Sequence, residues 1–155
     1  MTFVVRGLNP APFEPLFGLS GKELSDRGVF RLLVSSKPNF PCRVGLADCD
    51  VGEKVLLLNH VSHDVANPYR ASHAIFVREG ACEQAWYHDE IPPVFAHRIL
   101  SLRGFDAGGM MVEAALAQAG NADAEIRKLL ANQKIATIHA HNAIRGCFAA
   151  KIERS

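Results

Sequence analysis

Near the carboxyl end of the chain, polar and apolar residues alternate on both sides of the turn Asn142-Ala143-Ile144-Arg145-Gly146. Asn and Gly sit where a tight reversal needs positive φ, so residues 134–153 predict a β-hairpin. An odd-length loop centred on Ile144 sets His141 opposite Cys147 and His139 opposite Ala149. Successive side chains point to opposite faces of a strand. One face then carries Thr137, His139, His141, Cys147 and Lys151, and the other carries Ile138, Ala140, Phe148, Ala150 and Ile152. An even-length loop would mix polar with apolar residues on each face, which a half-buried sheet resists.

The same alternation predicts strands over 2–8, 29–35, 73–79 and 98–105. Residues 42–47 and 54–60 flank the turn 48–52 and read as a further hairpin. Phe13, Leu16 and Phe17 have helical spacing and suit a single turn, and 23–28 suits another turn of helix or a loop. Pro92 and Pro93 exclude a central strand from the irregular segment 81–96, which reads as a surface loop or lid. Residues 110–118 follow a glycine-rich turn and are read as a hairpin strand. The helical stripe Ile126, Leu129 and Leu130, with Asn121 able to cap and Asp123 and Glu125 near the amino end, predicts one main helix at about 121–131. The expected fold is α+β: a single domain over 1–155 with a mostly antiparallel sheet and that helix packed on it.

At 155 residues, 48% hydrophobic and 21% charged, the chain has ordinary globular composition. A formal charge of +1 with dispersed basic residues gives no field for nucleic acid, and no apolar run is long enough to cross a membrane. The amino terminus lacks a basic region followed by a long apolar core, and Cys42, Cys49, Cys82 and Cys147 form no C-x-x-C pair. A cytoplasmic protein with reduced thiols is expected.

Pro41-Cys42-Arg43, Pro68-Tyr69-Arg70, Ile75-Phe76-Val77-Arg78, Leu102-Arg103-Gly104-Phe105-Asp106 and Gly146-Cys147-Phe148 occur in that order. In this the chain resembles a bacterial family catalogued as domain of unknown function 1203. The resemblance spans nearly the whole chain and implies a small bacterial single-domain protein, with no activity to carry over.

Candidate chemistry rests on the residues themselves. An imidazolium beside a thiol favours the thiolate, so His141 with Cys147 suggests a nucleophile or redox centre, with His139 or His73 as a second acid/base. Against this, an unpaired cysteine is often only a small apolar residue. His139 and His141 at i, i+2 could share an ion with Cys147 or His73, but the set falls short of a closed four-ligand site. No metal or other cofactor is expected. His60 and His63 are read as contacting solvent or capping a loop, and His88 and His97 are given no role. Arg43, Arg70 and Arg103 lie at strand ends beside turns, where their forks could converge on a small anionic ligand, with Tyr69 lining the same pocket. Each arginine could instead pair with a local acid: Asp106 for Arg103, Asp48 or Asp50 for Arg43. The expectation is a small-molecule enzyme or binder with an arginine-lined pocket. The alternative is a non-catalytic ligand-binding or interaction module.

Overall fold

The computed structural model describes residues 1–155. Period-two patterning becomes nine strands: β1 (Phe3–Arg6), β2 (Phe30–Leu33), β3 (Lys54–His63), β4 (Ala71–Arg78), β5 (Trp86–His88), β6 (Leu100–Phe105), β7 (Met111–Ala117), β8 (Thr137–Asn142) and β9 (Phe148–Arg154). Helix α1 (Gly21–Ser25) is one turn, closed by a capping box between Ser20 and Glu23. The main helix, α2 (Ala122–Leu130), has Asn121 at its amino end, but that side chain makes no capping hydrogen bond. No helix is long and apolar enough to cross a membrane.

The strands form two antiparallel sheets, one of six strands in the order β5-β1-β9-β8-β6-β7 and one of three in the order β2-β3-β4. The fold is α+β. Helix α2 packs on β6 and β7, burying Ile126, Leu129 and Leu130. They join Phe3, Leu100, Leu102, Ile138, Ala140, Ala150 and Ile152 in one apolar core on that face of the six-stranded sheet. A second core lies over part of the three-stranded sheet and holds Leu56, Leu58, Ile75, Val77, Cys42 and Cys49. The two cores share no residue.

Three expectations change. Residues 42–47 do not pair with 54–60. They fold back on themselves, with Leu46 N–H donating to Cys42 O and Leu46 at φ 52°, so β3 takes β2 and β4 as neighbours. The segment 81–96 is not a lid. Trp86–His88 adds to β1 as an edge strand before the prolines, and Val94 and Phe95 beyond them are buried. Gly7 makes the third visible: the first strand stops at Arg6, and a Cβ on Gly7 would collide with the Val44 carbonyl, so two backbone segments meet at the closest approach glycine permits. Gly7 N–H donates to Ala85 O and Leu8 N–H to Arg43 O, which stitches this end of the molecule together.

Candidate functional site

From Ile138 to Ala140 the β8–β9 hairpin keeps its expected faces, with a changed register. Ile138 faces Ile152, His139 faces Lys151 and Ala140 faces Ala150, so the inner pairs centre on Arg145 rather than Ile144. A slip of two residues preserves which side chains share a face. A bulge between Ala140 and His141 then sets His141 against Phe148, not Cys147. One extra residue on β9 reverses side-chain direction there. Phe148 therefore turns away from the apolar face to join the histidines, and Ala149 enters the core. Cys147 lies beyond the last pair, in the turn.

That turn is held from inside. Gly146 N–H donates to Asn142 O at 2.7 Å, Asn142 N–H donates to Cys147 O at 2.9 Å, and His141 Nδ1 donates to Gly146 O at 3.0 Å. A carbonyl can only accept, so in this contact Nδ1 carries the proton and Nε2 is the free lone pair. Burial pushes His141 down to about 4, with the Gly146 bond opposing the shift and Arg103 adding to it. A neutral imidazole occupied with the turn is not paired with the thiol.

Arg43 takes the place expected of His141. Its guanidinium is buried, 3% exposed, and donates from Nε to Phe148 O at 2.8 Å, from Nη1 to Pro41 O at 2.7 Å and from Nη2 to Cys147 Sγ at 3.1 Å. Asn142 Nδ2 approaches the same sulfur at 3.4 Å. Neither anticipated acid reaches Arg43. Asp48 is held by both Nη atoms of Arg98, at 3.1 and 2.6 Å, and Asp50 by Lys37 at 2.6 Å. Burial pushes the Arg43 guanidinium below its ordinary range while the Cys147 thiol pulls it back. A buried cation with no carboxylate is costly unless some other anion compensates it.

Arg43, Cys147, Asn142, His97, Arg98 and Arg145 line a cleft of about 410 Å³, with Pro38, Pro41, Phe76, Ile99 and Ile144 among its apolar parts. That is the size range of small-molecule sites. Arg98 is bound to Asp48 and also donates to the Val94 and Pro38 carbonyls, so it braces the wall. Arg145 is exposed and forms no ion pair. The Asn142 Oδ1 atom is buried with no hydrogen-bond partner.

The other two expected arginines are elsewhere. Arg70 is exposed and pairs with Asp64 at 3.2 Å, and Tyr69 beside it stands edge-on to Phe105 at 6.3 Å. Arg103 opposes His139 across β6 and β8, and its Nε lies 3.4 Å from Ser101 Oγ. Asp106 does not reach it, because that carboxylate accepts from the Gly108 and Met110 N–H groups. The three arginines do not form a common clamp. Arg145, His97 and Asn142 were missed because they read as turn or irregular-segment residues. The available signal was for Arg145 and Asn142 only, which share the turn that leads into Cys147.

Five of the seven histidines meet where the two sheets face one another. His60 and His73 are cross-strand partners on β3 and β4. The His73 ring lies 4.8 Å from His141 and the His63 ring 5.0 Å from His139, with Phe105 at 4.1 Å from His63. Phe148 packs at 5.4 Å from His139 and 6.1 Å from His60. His63 is thus buried, not a solvent contact or loop cap. Burial, then the neighbouring His63, pushes His139 down to about 3. Burial also lowers His60 and His73, with His73 opposing protonation of His60 and Arg103 that of His73. No three His, Cys, Asp or Glu side chains come together in a group able to hold a metal ion.

Comparison with curated proteins and with solved structures finds no match for this chain. The family model described as Protein of unknown function (DUF1203) matches residues 39–154, a span that takes in every strand but β1 and β2, the histidine seam and the cleft except for Pro38, and the chain belongs to that family.

Proposed function

We propose that the protein binds a small anionic ligand, of carboxylate or phosphate type, in the cleft over Cys147. One observation carries the reading. Arg43 is 3% exposed, has no carboxylate partner, and turns its Nη2 toward the Cys147 sulfur on the cleft wall. A guanidinium stays charged, so an anion in that cleft supplies what the fold withholds. Three N–H groups of Arg43 are engaged by Phe148 O, Pro41 O and Cys147 Sγ, and a guanidinium has five. Arg145 adds a second cation at the mouth, and Asn142 a polar side chain beside the thiol.

All four thiols are free, which suits the reducing cytoplasm expected from the cysteine pattern. The test is calorimetric titration with inorganic phosphate and with citrate at fixed ionic strength. Saturable binding by at least one, weakened about tenfold in Arg145→Gln by loss of one charge-assisted contact, is expected. Heats no larger than those of added chloride would contradict the reading.

A further inference from the structure

The contact between the sheets is unusual in what fills it. Phe105, Phe148 and the histidines of the seam belong to neither apolar core. From the three-stranded side come His60, His63 and His73, and from the six-stranded side come His139 and His141. The charged groups around them are mostly of one sign. Arg103 on β6 bears on His73, His139 and His141, Lys151 on β9 bears on His139, and Arg43 bears on His141. Two acids lie near His63 and His139, on the wall of a shallow neighbouring cavity. Of these Asp64 is paired with Arg70, and Asp106 accepts backbone N–H groups. No imidazole of the seam pairs with a carboxylate: His63 meets Gly109 O, His73 meets Ser62 Oγ, and His141 meets Gly146 O.

We propose that this seam is a proton-operated joint, closed at neutral pH and opened by mild acid, along which the histidine-bearing ends of β3 and β4 part from β8 while the core beneath α2 stays folded. Protonation would place cations within 5.0 Å of one another, beside Arg103 and Lys151, while the carboxylates nearby are already engaged: Asp64 with Arg70, Asp106 with backbone N–H groups, and Glu153 with Lys151 and Arg6. Across the seam the rings meet by contact and by one hydrogen bond, from His63 to Gly109 O in the β6–β7 turn, and the opened His139 and His141 imidazoles regain water and a proton. The opposite end of the joint cannot follow. There Leu8, just beyond β1, donates its N–H to Arg43 O, and Arg43 donates its own N–H to Phe76 O on β4, so a run of backbone hydrogen bonds ties the two sheets together. It is the natural hinge.

Burial of His139 and His141 supports the direction, since both are neutral when closed and bind protons when opened. Opening also reaches the cleft. The Phe148 ring sits among His60, His139 and His141, while its carbonyl accepts from Arg43. The joint itself does not depend on what the cleft binds.

Hydrogen exchange of the full chain, read by mass spectrometry from pH 7.5 to 4.5 and corrected for intrinsic rates, tests it. Peptides from 54–78 and 137–148 are expected to lose protection by about tenfold per pH unit for each linked proton, while α2 keeps its own. His73→Gln, at a half-buried site, should move that loss to lower pH, and His73→Gln with His141→Gln should move it further. If the double variant does not fold, the single one decides. Seam protection unchanged down to pH 4.5, seam and α2 peptides opening together, or an onset that His73→Gln leaves in place would each overturn the proposal.

Discussion

The two faces of β8 and β9 were built from the same ten or so residues and ended as different materials. One presents Ile138, Ala140, Ala150 and Ile152 to α2, and every one of them is at most 1% exposed. The other presents His139, His141 and Phe148 to a second sheet and is nearly as dry, with His139 4% and His141 2% exposed. Apolar burial stabilises whatever the proton concentration, whereas imidazole burial stabilises only the uncharged form. Burial therefore does not make the two faces equivalent. One joint is permanent and the other is conditional on pH.

The largest way to expose that difference is acid. His139 and His141 have folded values of about 3 and 4 against an ordinary 6.5, so the unfolded chain takes up protons that the folded chain refuses. Stability is therefore full above pH 6.5 and falls as pH drops through 6.5 toward 4. Urea unfolding is expected to show a loss on the order of 5 kcal/mol between pH 7 and 4 from these two groups. A flat profile over that window would erase the distinction between the faces.

Next is the apolar face itself. Ile126→Ala, at a fully buried position of α2, should cost about 2–5 kcal/mol, by the same amount at pH 7.5 and pH 5.5. Stability curves at the two pH values check it, and an effect that changed with pH would mean the core and seam are coupled. His139→Gln sharpens the contrast from the other side. It should flatten the pH profile between 6.5 and 4 by about one proton, or roughly 1.4 kcal/mol per pH unit. The smallest effect is expected at Arg70→Ala. Its pair with Asp64 is exposed on both sides, so less than about 0.5 kcal/mol should be lost.

Patterning made most of the strands, the main helix and the inner pairs of the last hairpin legible, because polar and apolar residues alternate with the pleat. What patterning could not show was the one-residue bulge before His141, which moved Phe148 across the sheet and Cys147 out of the pairing. A bulge depends on what the neighbouring strands require. The arginines failed for another reason. Their acids were visible, but competition among cations was not: Arg98 took Asp48 and Lys37 took Asp50, leaving Arg43 alone. Residues 42–47 were misread as a strand because an apolar run looks alike in a strand and in a buried turn. The histidine seam joins β3, β4 and β8, and only the meeting of the sheets brings its five rings together.

The central claim is that Arg43 makes the surroundings of Cys147 a site for anions. Its most direct test compares alkylation of Cys147 by iodoacetate, which is charged, and by iodoacetamide, which is not, with exposed Cys82 as reference in the same sample. Sulfur chemistry is shared by the two reagents, so the ratio of their rates reports charge at the site. The account predicts a ratio at Cys147 about tenfold or more above that at Cys82, as a cation-lined cleft concentrates an anionic reagent, reduced in Arg145→Gln and by added phosphate. Equal ratios at the two cysteines, or a Cys147 that prefers the neutral reagent, would contradict it.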